Sequence, residues 1–410
     1  QTYTGAVTLS DNVTLTTTSN GSITLSSTVN GAKTLTIATN GTGDTTFTGA
    51  VGGTTSLTGL TINTDVLNAA AIKLNGTLGI TNGGVSSIAG IISDATSGTL
   101  VLTKTGSGTL TISADNSYTG GTTISGGVLQ VGGSGRLGGG TYNGNIAIGS
   151  GATLTYASSS SQTLSGTVSG DGAILKDTDI TSILTLSGNN TYTGGTTVSS
   201  GTLKASSSGI TGPPATGPFG TGSVTVLNTN AVLDLNGQSI SNLLTINGTG
   251  LSATGSIINS NTTAATASSN ITLGSNSSLG GSNNFTLSGI IDDGVNTYTL
   301  TKVGSSNISL TGANTYGGAT TISAGTLTLS GNGTLGNTTS LLTISSATLD
   351  IQNGAKTIGS LVMNGTSPSI TNSAGTSSLT VSGTATLANA ITTSSTQLYT
   401  GNLTLGAGTT

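Results

Sequence analysis

No cysteine, histidine, tryptophan or glutamate occurs anywhere in the chain, and its formal charges amount to eight basic and twelve acidic residues among 410. Each absence excludes something. Without histidine or cysteine, the commonest general bases and nucleophiles are missing, which leaves carboxylates as the remaining candidates. Without cysteine no disulfide forms, which suits a chain that crosses an oxidising compartment unfolded. Eight scattered basic residues form no footprint for nucleic acid. No apolar run approaches the ~18 residues that a membrane-spanning helix needs. The opening Gln1–Leu9, QTYTGAVTL, has neither a basic nor an apolar leader region, so any signal peptide is expected to be gone already. Glutamate is a strong helix former; its absence, with abundant Thr, Ser, Val and Ile, points to an all-β chain. The 67 glycines and the scarcity of charge resemble a disordered composition. A persistent alternation of Leu, Ile and Val with polar residues argues instead for folded strands.

What is present is one stretch written three times. Leu102–Val131 reads LTKTGSGTLTISADNSYTGGTTISGGVLQV, Leu184–Ala205 reads LTLSGNNTYTGGTTVSSGTLKA, and Leu300–Leu329 reads LTKVGSSNISLTGANTYGGATTISAGTLTL. Aligned on Tyr118, Tyr192 and Tyr316, the copies share Asn116, Asn190 and Asn314 two residues before. Gly120, Gly194 and Gly318 stand two after, and Ile124, Val198 and Ile322 six after. Gly127, Gly201 and Gly325 follow at nine, and Leu129, Leu203 and Leu327 at eleven. Leu110, Leu184 and Ile308 match upstream, as do Ile112, Leu186 and Leu310. An internal repeat outranks other sequence signals, because it dictates the architecture.

Each copy reads as strand, turn, strand, turn, strand. Leu110-Thr111-Ile112 and Thr122-Thr123-Ile124 alternate with the period of a half-buried strand. Asp115-Asn116 and Gly120-Gly121 supply turn residues that tolerate positive φ. Strands of about three to five residues cannot bury a core alone, so the units must stack as a solenoid. The tyrosines are 74 and 124 residues apart, near multiples of a coil of roughly 25 residues. The inward positions are expected to be Leu110, Ile112, Ile124, Leu129 and their counterparts.

These residues resemble the autotransporter-associated β-strand repeat, found in passenger regions of Gram-negative autotransporters and giant surface adhesins. The likeness covers three windows of about 30 residues and implies a single-stranded, right-handed parallel β-helix, secreted to the bacterial cell surface, without specifying an activity. Two departures imply altered turns: the second copy has Lys176-Asp177-Thr178-Asp179 for the Lys-x-Gly lead-in, and the third has Ala319 where the others have Gly121 and Gly195.

The rest of the chain reads as further coils of one continuous solenoid over residues 1–410, with repeat copies near 90–131, 166–205 and 289–329. Asn20-Gly21, Asn30-Gly31 and Asn40-Gly41 mark turns at ten-residue intervals, a spacing that fits either solenoid corners or an antiparallel meander. Residues 211–220, TGPPATGPFG, hold three of the four prolines and read as a protruding loop. Gln397–Leu405 resembles Gln1–Leu9, so residues 397–410 look like the start of another copy of 1–14. A tandem array or end-to-end stacking follows as an expectation, with about sixteen coils forming a rod on the order of 75–80 Å.

Candidate chemistry is sparse. Carboxylates are the groups of the polysaccharide-cleaving parallel β-helices, and here Asp171, Asp177 and Asp179, and the pair Asp292–Asp293, are the only carboxylate clusters; solvated turns are the ordinary use of such residues. No ligand-rich loop supplies the roughly six oxygens a calcium ion wants. Lys104 and Lys302 precede the repeat at matching positions and read as solvated or snorkelling side chains. Tyr118, Tyr192 and Tyr316 either stack on sugars or, more ordinarily, pack over their own glycine turns. The expectation is therefore a non-enzyme with no catalytic, cofactor or metal residues. Its candidate roles are an adhesive rod, a self-assembling filament subunit, or an ice- or glycan-binding solenoid. Its partners are other copies of itself, surface glycans or other cells.

Overall fold

The computed structural model describes residues 1–96, 99–209 and 216–406. Half of the proline-rich segment expected to protrude, 211–215, and the last four residues of 397–410 lie outside the described residues; in the other half, residues 217–220 are buried rather than protruding. The fold is all-β. The only helical turns among the described residues are the single 3-10 turns Gly138–Gly140 and Leu251–Ala253, and no helix is long and apolar enough to cross a membrane. The chain forms two compact units. One comprises Gln1–Thr196 with Gly212–Gly222, the other Thr197–Thr211 with Ser223–Thr410.

In the first unit, short strands pair in parallel with the coil before and the coil after. Thr2 pairs with Thr24, Val13 with Leu35, Leu35 with Leu60 and Leu60 with Leu78, so coil length varies about the expected repeat. The parallel register removes the meander reading of the first 63 residues: each Asn-Gly step is a corner of a coil, not a hairpin. Because strand residues alternate in direction, register alignment stacks like on like. One inward column runs Leu25, Phe47, Ala69, Ile88, Ile112, Val131; another runs Ile37, Ile62, Ile80. All of these side chains are buried.

The second unit repeats the scheme. Phe285, Ile308, Leu327, Leu349 and Ile370 form one parallel column, and Leu287, Leu310, Leu329 and Ile351 its neighbour. Each of the repeat's expected inward residues, from Leu110 to Leu327, is buried. Burying each such side chain contributes about 1.5–3 kcal/mol, and the gain depends on the coils either side.

The glycines of the repeat serve two different ends. Gly127, Gly201 and Gly325 adopt φ of 60°, 74° and 66°, which closes the corner before the strand that carries Leu129, Leu203 or Leu327. Gly120 and Gly318 are not at positive φ, contrary to the expectation for the Gly120-Gly121 turn. They are needed because a Cβ there would sit 2.1 Å from the Leu100 carbonyl oxygen and 2.2 Å from that of Tyr298, one coil away. What these two positions require is close approach of backbone between coils.

Candidate functional site

The shared residues of the three repeats assemble into a buried corner staple. Asn116 accepts the Ile92 N–H through Oδ1 (2.9 Å), from the coil before. It donates through Nδ2 to the carbonyls of Ala114 (2.7 Å) and of Arg136 (3.1 Å), the latter in the coil after. Asn190 accepts from Val168 N–H (2.7 Å) and donates to the Pro218 carbonyl (2.6 Å). Asn314 accepts from Ile291 N–H (2.8 Å) and donates to the Thr334 carbonyl (2.7 Å). All three amides are buried, and each ties three consecutive levels of backbone. Satisfying corner N–H and C=O groups in this way matters because an unpaired buried one costs about 1–3 kcal/mol.

The tyrosine two residues on is fully buried in each copy. Its hydroxyl shares a hydrogen bond with a threonine four residues later: Tyr118 with Thr122 (2.9 Å), Tyr192 with Thr196 (2.5 Å), Tyr316 with Thr320 (2.7 Å). A further ring, Tyr142, packs edge-on against Tyr118 at 5.4 Å, and its hydroxyl also meets Thr122 (2.7 Å). A cleft of about 300 Å3 lies over Tyr118 and Tyr142, but both rings are buried, so they offer no face on which a sugar could stack. The rings pack against glycines of the following coil, Gly220 beside Tyr192 and Gly336 beside Tyr316.

Lysine is where the structure departs furthest from expectation. Lys104, Lys176 and Lys302 are 0%, 0% and 1% exposed, so they are neither solvated nor snorkelling. Lys104 takes the next place in the column Ile37, Ile62, Ile80, and Lys302 stands between Leu279 and Ile322. Each aliphatic stem fills a slot shaped for isoleucine, and the ammonium reaches the corner. Lys104 Nζ donates to the carbonyls of Thr105 (2.7 Å), Gly106 and Gly126 (both 3.1 Å). Lys302 Nζ donates to those of Val303 (2.9 Å), Gly304 (2.8 Å) and Ala324 (3.0 Å). Lys176 donates likewise to the carbonyls of Asp177 (3.3 Å) and Asp179 (3.1 Å). The Lys-x-Gly lead-in thus writes an ammonium into a cage of turn carbonyls that spans two coils.

The carboxylates hold turns rather than converge. Asp94, Asp171 and Asp293 each receive a hydrogen bond from the residue after the repeat tyrosine: Thr119 N–H (2.9 Å), the Thr193 hydroxyl (3.0 Å) and Gly317 N–H (3.0 Å). Asp293 is buried and also accepts from Tyr298 N–H (2.8 Å), so it is not the solvated turn residue expected of it. Asp179 accepts from the Thr181 hydroxyl and from the N–H groups of Thr181 and Ser182, bonds that lower its pKa. Asp292 accepts from Gly294 N–H (3.3 Å). Among the described residues, no group of three or more carboxylates is placed to hold a metal ion. Sequence reasoning missed a second device: Ser260 donates to Asp234 (2.6 Å) with Lys204 Nζ 3.7 Å from that carboxylate, and Ser373 donates to Asp350 (2.7 Å). Its signal is an Asp between two inward apolar residues, Leu233-Asp234-Leu235 and Leu349-Asp350-Ile351.

Burial pushes the Lys104, Lys176 and Lys302 ammonium groups down to about 8, and the phenols of Tyr142 and Tyr156 up to about 12; Tyr118, Tyr192 and Tyr316 are raised by the same cause. Between pH 8 and the ordinary lysine value of 10.5, the unfolded chain holds protons that the folded one has released, so the lysines make stability rise with pH. Above pH 10 the folded tyrosines keep protons that the unfolded ones lose, so stability falls through about 12. Thermal melting followed from pH 7 to 12 is expected to show a shallow maximum near pH 10, then a steep loss, and in a variant with the three part-exposed tyrosines replaced (Tyr3→Phe, Tyr298→Phe, Tyr399→Phe) tyrosinate absorbance is expected only on unfolding. Tyrosinate appearing in that variant while it is folded at pH 10 contradicts the burial of the five remaining rings.

Comparison with known proteins places the repeat. The family described as passenger-associated-transport-repeat matches residues 102–131, 181–205 and 300–329, the same three windows that carry the staple. The chain is 33% identical over 162 residues to the Adhesin BmaC autotransporter of Brucella suis biovar 1 (strain 1330), a stretch that covers 34% of this chain and 5% of that protein. The chain therefore spans a small fraction of the curated relative it matches. No solved structure matches it.

Proposed function

We propose that this chain is part of an adhesive, non-enzymatic β-solenoid displayed on a bacterial cell surface. The observation that carries the reading is the threefold passenger repeat, folded as a staple whose shared asparagines are spent on backbone and whose shared tyrosine hydroxyls are spent on buried threonines. Such a repeat builds a stiff scaffold and leaves outward positions free to vary. The likeness to an autotransporter adhesin supports the surface location and the adhesive role. Beads coated with the full chain are expected to adhere to host-cell or matrix surfaces above the level of beads coated with an unrelated β-solenoid. Equal retention overturns the adhesive reading. Incubation with a panel of polysaccharides and peptides, with or without divalent metal, is expected to release no product. Cleavage that disappears in Asp171→Ala or Asp292→Ala overturns the non-enzyme part.

Self-association is the second reading, supported by the likeness of Gln397–Leu405 to Gln1–Leu9. The same bond, Tyr3 to Gln1 at 2.9 Å and Tyr399 to Gln397 at 3.0 Å, recurs in both stretches. Sedimentation across a concentration series tests it, and a constant monomer mass removes it.

A further inference from the structure

Two surface clefts, one in each unit, occupy the same place in the solenoid. In the first unit the column Ile37, Ile62, Ile80, Lys104 fixes the level of the corner turns, and a cleft of about 340 Å3 opens over the turns that follow each of these residues. In the second unit the column Leu233, Ile257, Leu279, Lys302 does the same, and a cleft of about 480 Å3 opens over the turns after the last three. Both clefts end on the Lys-x-Gly-Ser turn, at Gly106–Ser107 in one and Gly304–Ser305 in the other. Both have the size of small-molecule sites, which run from roughly 300 to 1,000 Å3.

The chemistry of the linings narrows the occupant. Neither contains a basic residue or an aromatic ring, and the lysine beneath each has its ammonium engaged by three carbonyls. Nothing there attracts sulfate, phosphate or an acidic glycan. The first cleft presents amides and hydroxyls with a single carboxylate, Asp65; the second sets Ser260, Asn259 and Ser305 beside the apolar Ala253 and Ile258. A neutral sugar, with a hydroxyl rim and a C–H face, meets both demands. Four stacked turns at the strand spacing make the first cleft about 14 Å long, the reach of a short oligosaccharide.

We propose that these paired corner clefts are binding sites for short neutral oligosaccharides. This rests on the adhesive reading and names its ligand class. Ser107 and Ser305 are exposed on the last turn lining each cleft, so Ser107→Trp and Ser305→Trp fill them without entering the core. Titration calorimetry of the full chain against neutral gluco-, galacto-, manno- and chito-oligosaccharides is expected to find binding to at least one. Each single variant should lose part of it, and the double variant should bind at least tenfold more weakly with an unchanged melting temperature. No binding to any neutral probe, binding of calcium or heparin alone, or binding untouched by the double variant each overturns the proposal. Bead adhesion separates the two readings: wild-type beads that adhere while the double variant adheres equally sink the clefts alone, and wild-type beads that do not adhere sink the adhesive role.

Discussion

Leu203→Asp is expected to cost about 4–5 kcal/mol and to open the second unit locally rather than unfold it throughout. Leu203 is fully buried and pairs in register with Leu233, which pairs in turn with Ile257. The substitution removes the transfer free energy of a leucine, about 1.5–3 kcal/mol, and places a carboxyl in an apolar column with no donor facing it. The carboxyl avoids ionising by holding its proton, so its folded pKa rises above the ordinary aspartate value. The variant's deficit is therefore smaller below that ordinary value and grows as pH rises toward 7. In a solenoid each coil is stabilised by its neighbours, so the damage should stay near the coils of Leu203 and Leu233. Limited proteolysis at pH 7 should yield new cuts close to these coils, while Thr326–Leu329 and Thr348–Ile351 remain protected. A variant as resistant as the parent, or equally sensitive at pH 4 and pH 7, contradicts the inward facing of this strand.

The inward positions were legible because period-two alternation survives in single short strands. Leu110 and Ile112 could be assigned without knowing what they pair with, since a strand buries every second residue whichever neighbour it finds. The level of each coil was less legible. Thr2 meets Thr24 and Leu60 meets Leu78, and corners of variable length leave no constant period to count. Polar residues were misread for a different reason. Hydropathy assigns lysine and aspartate to solvent, yet Lys302 and Asp293 are buried because the corners contain carbonyl and N–H groups that strand pairing leaves unpaired. The recurrence of Lys104 and Lys302 at one position was a usable signal: a solvated side chain has no reason to hold a fixed register with the core. The clefts were beyond the sequence, since they arise from turns of three or four coils that are distant in the chain.

The lysine cage yields the second large effect, because its stem and its ammonium can be removed separately. Lys302→Ala takes the stem out of the column between Leu279 and Ile322 and also strips three carbonyls of their donor; a loss on the order of 3–5 kcal/mol is expected. Lys302→Met keeps a flexible apolar stem of similar reach and deletes only the ammonium, so a loss of about 1–3 kcal/mol is expected. Coils without the lysine solve the same corner with shorter side chains. Thr39 donates its hydroxyl to the Gly43 carbonyl (2.7 Å), and Asn82 donates to that of Gly84 (2.7 Å). In the Lys104 and Lys302 coils the corresponding residues are Gly106 and Gly304, at φ of 76° and 71°, with no side chain to offer, whereas the Lys176 coil has Thr178 there, at φ of 73°. A glycine corner thus requires a donor sent from elsewhere, and lysine sends it from two residues upstream through the core. Urea unfolding and amide exchange over residues 300–329 measure both variants. A methionine variant as stable as the parent shows that water satisfies the three carbonyls and that the lysine is retained only for its stem. An alanine variant no worse than methionine shows the reverse, that the ammonium matters and the stem does not.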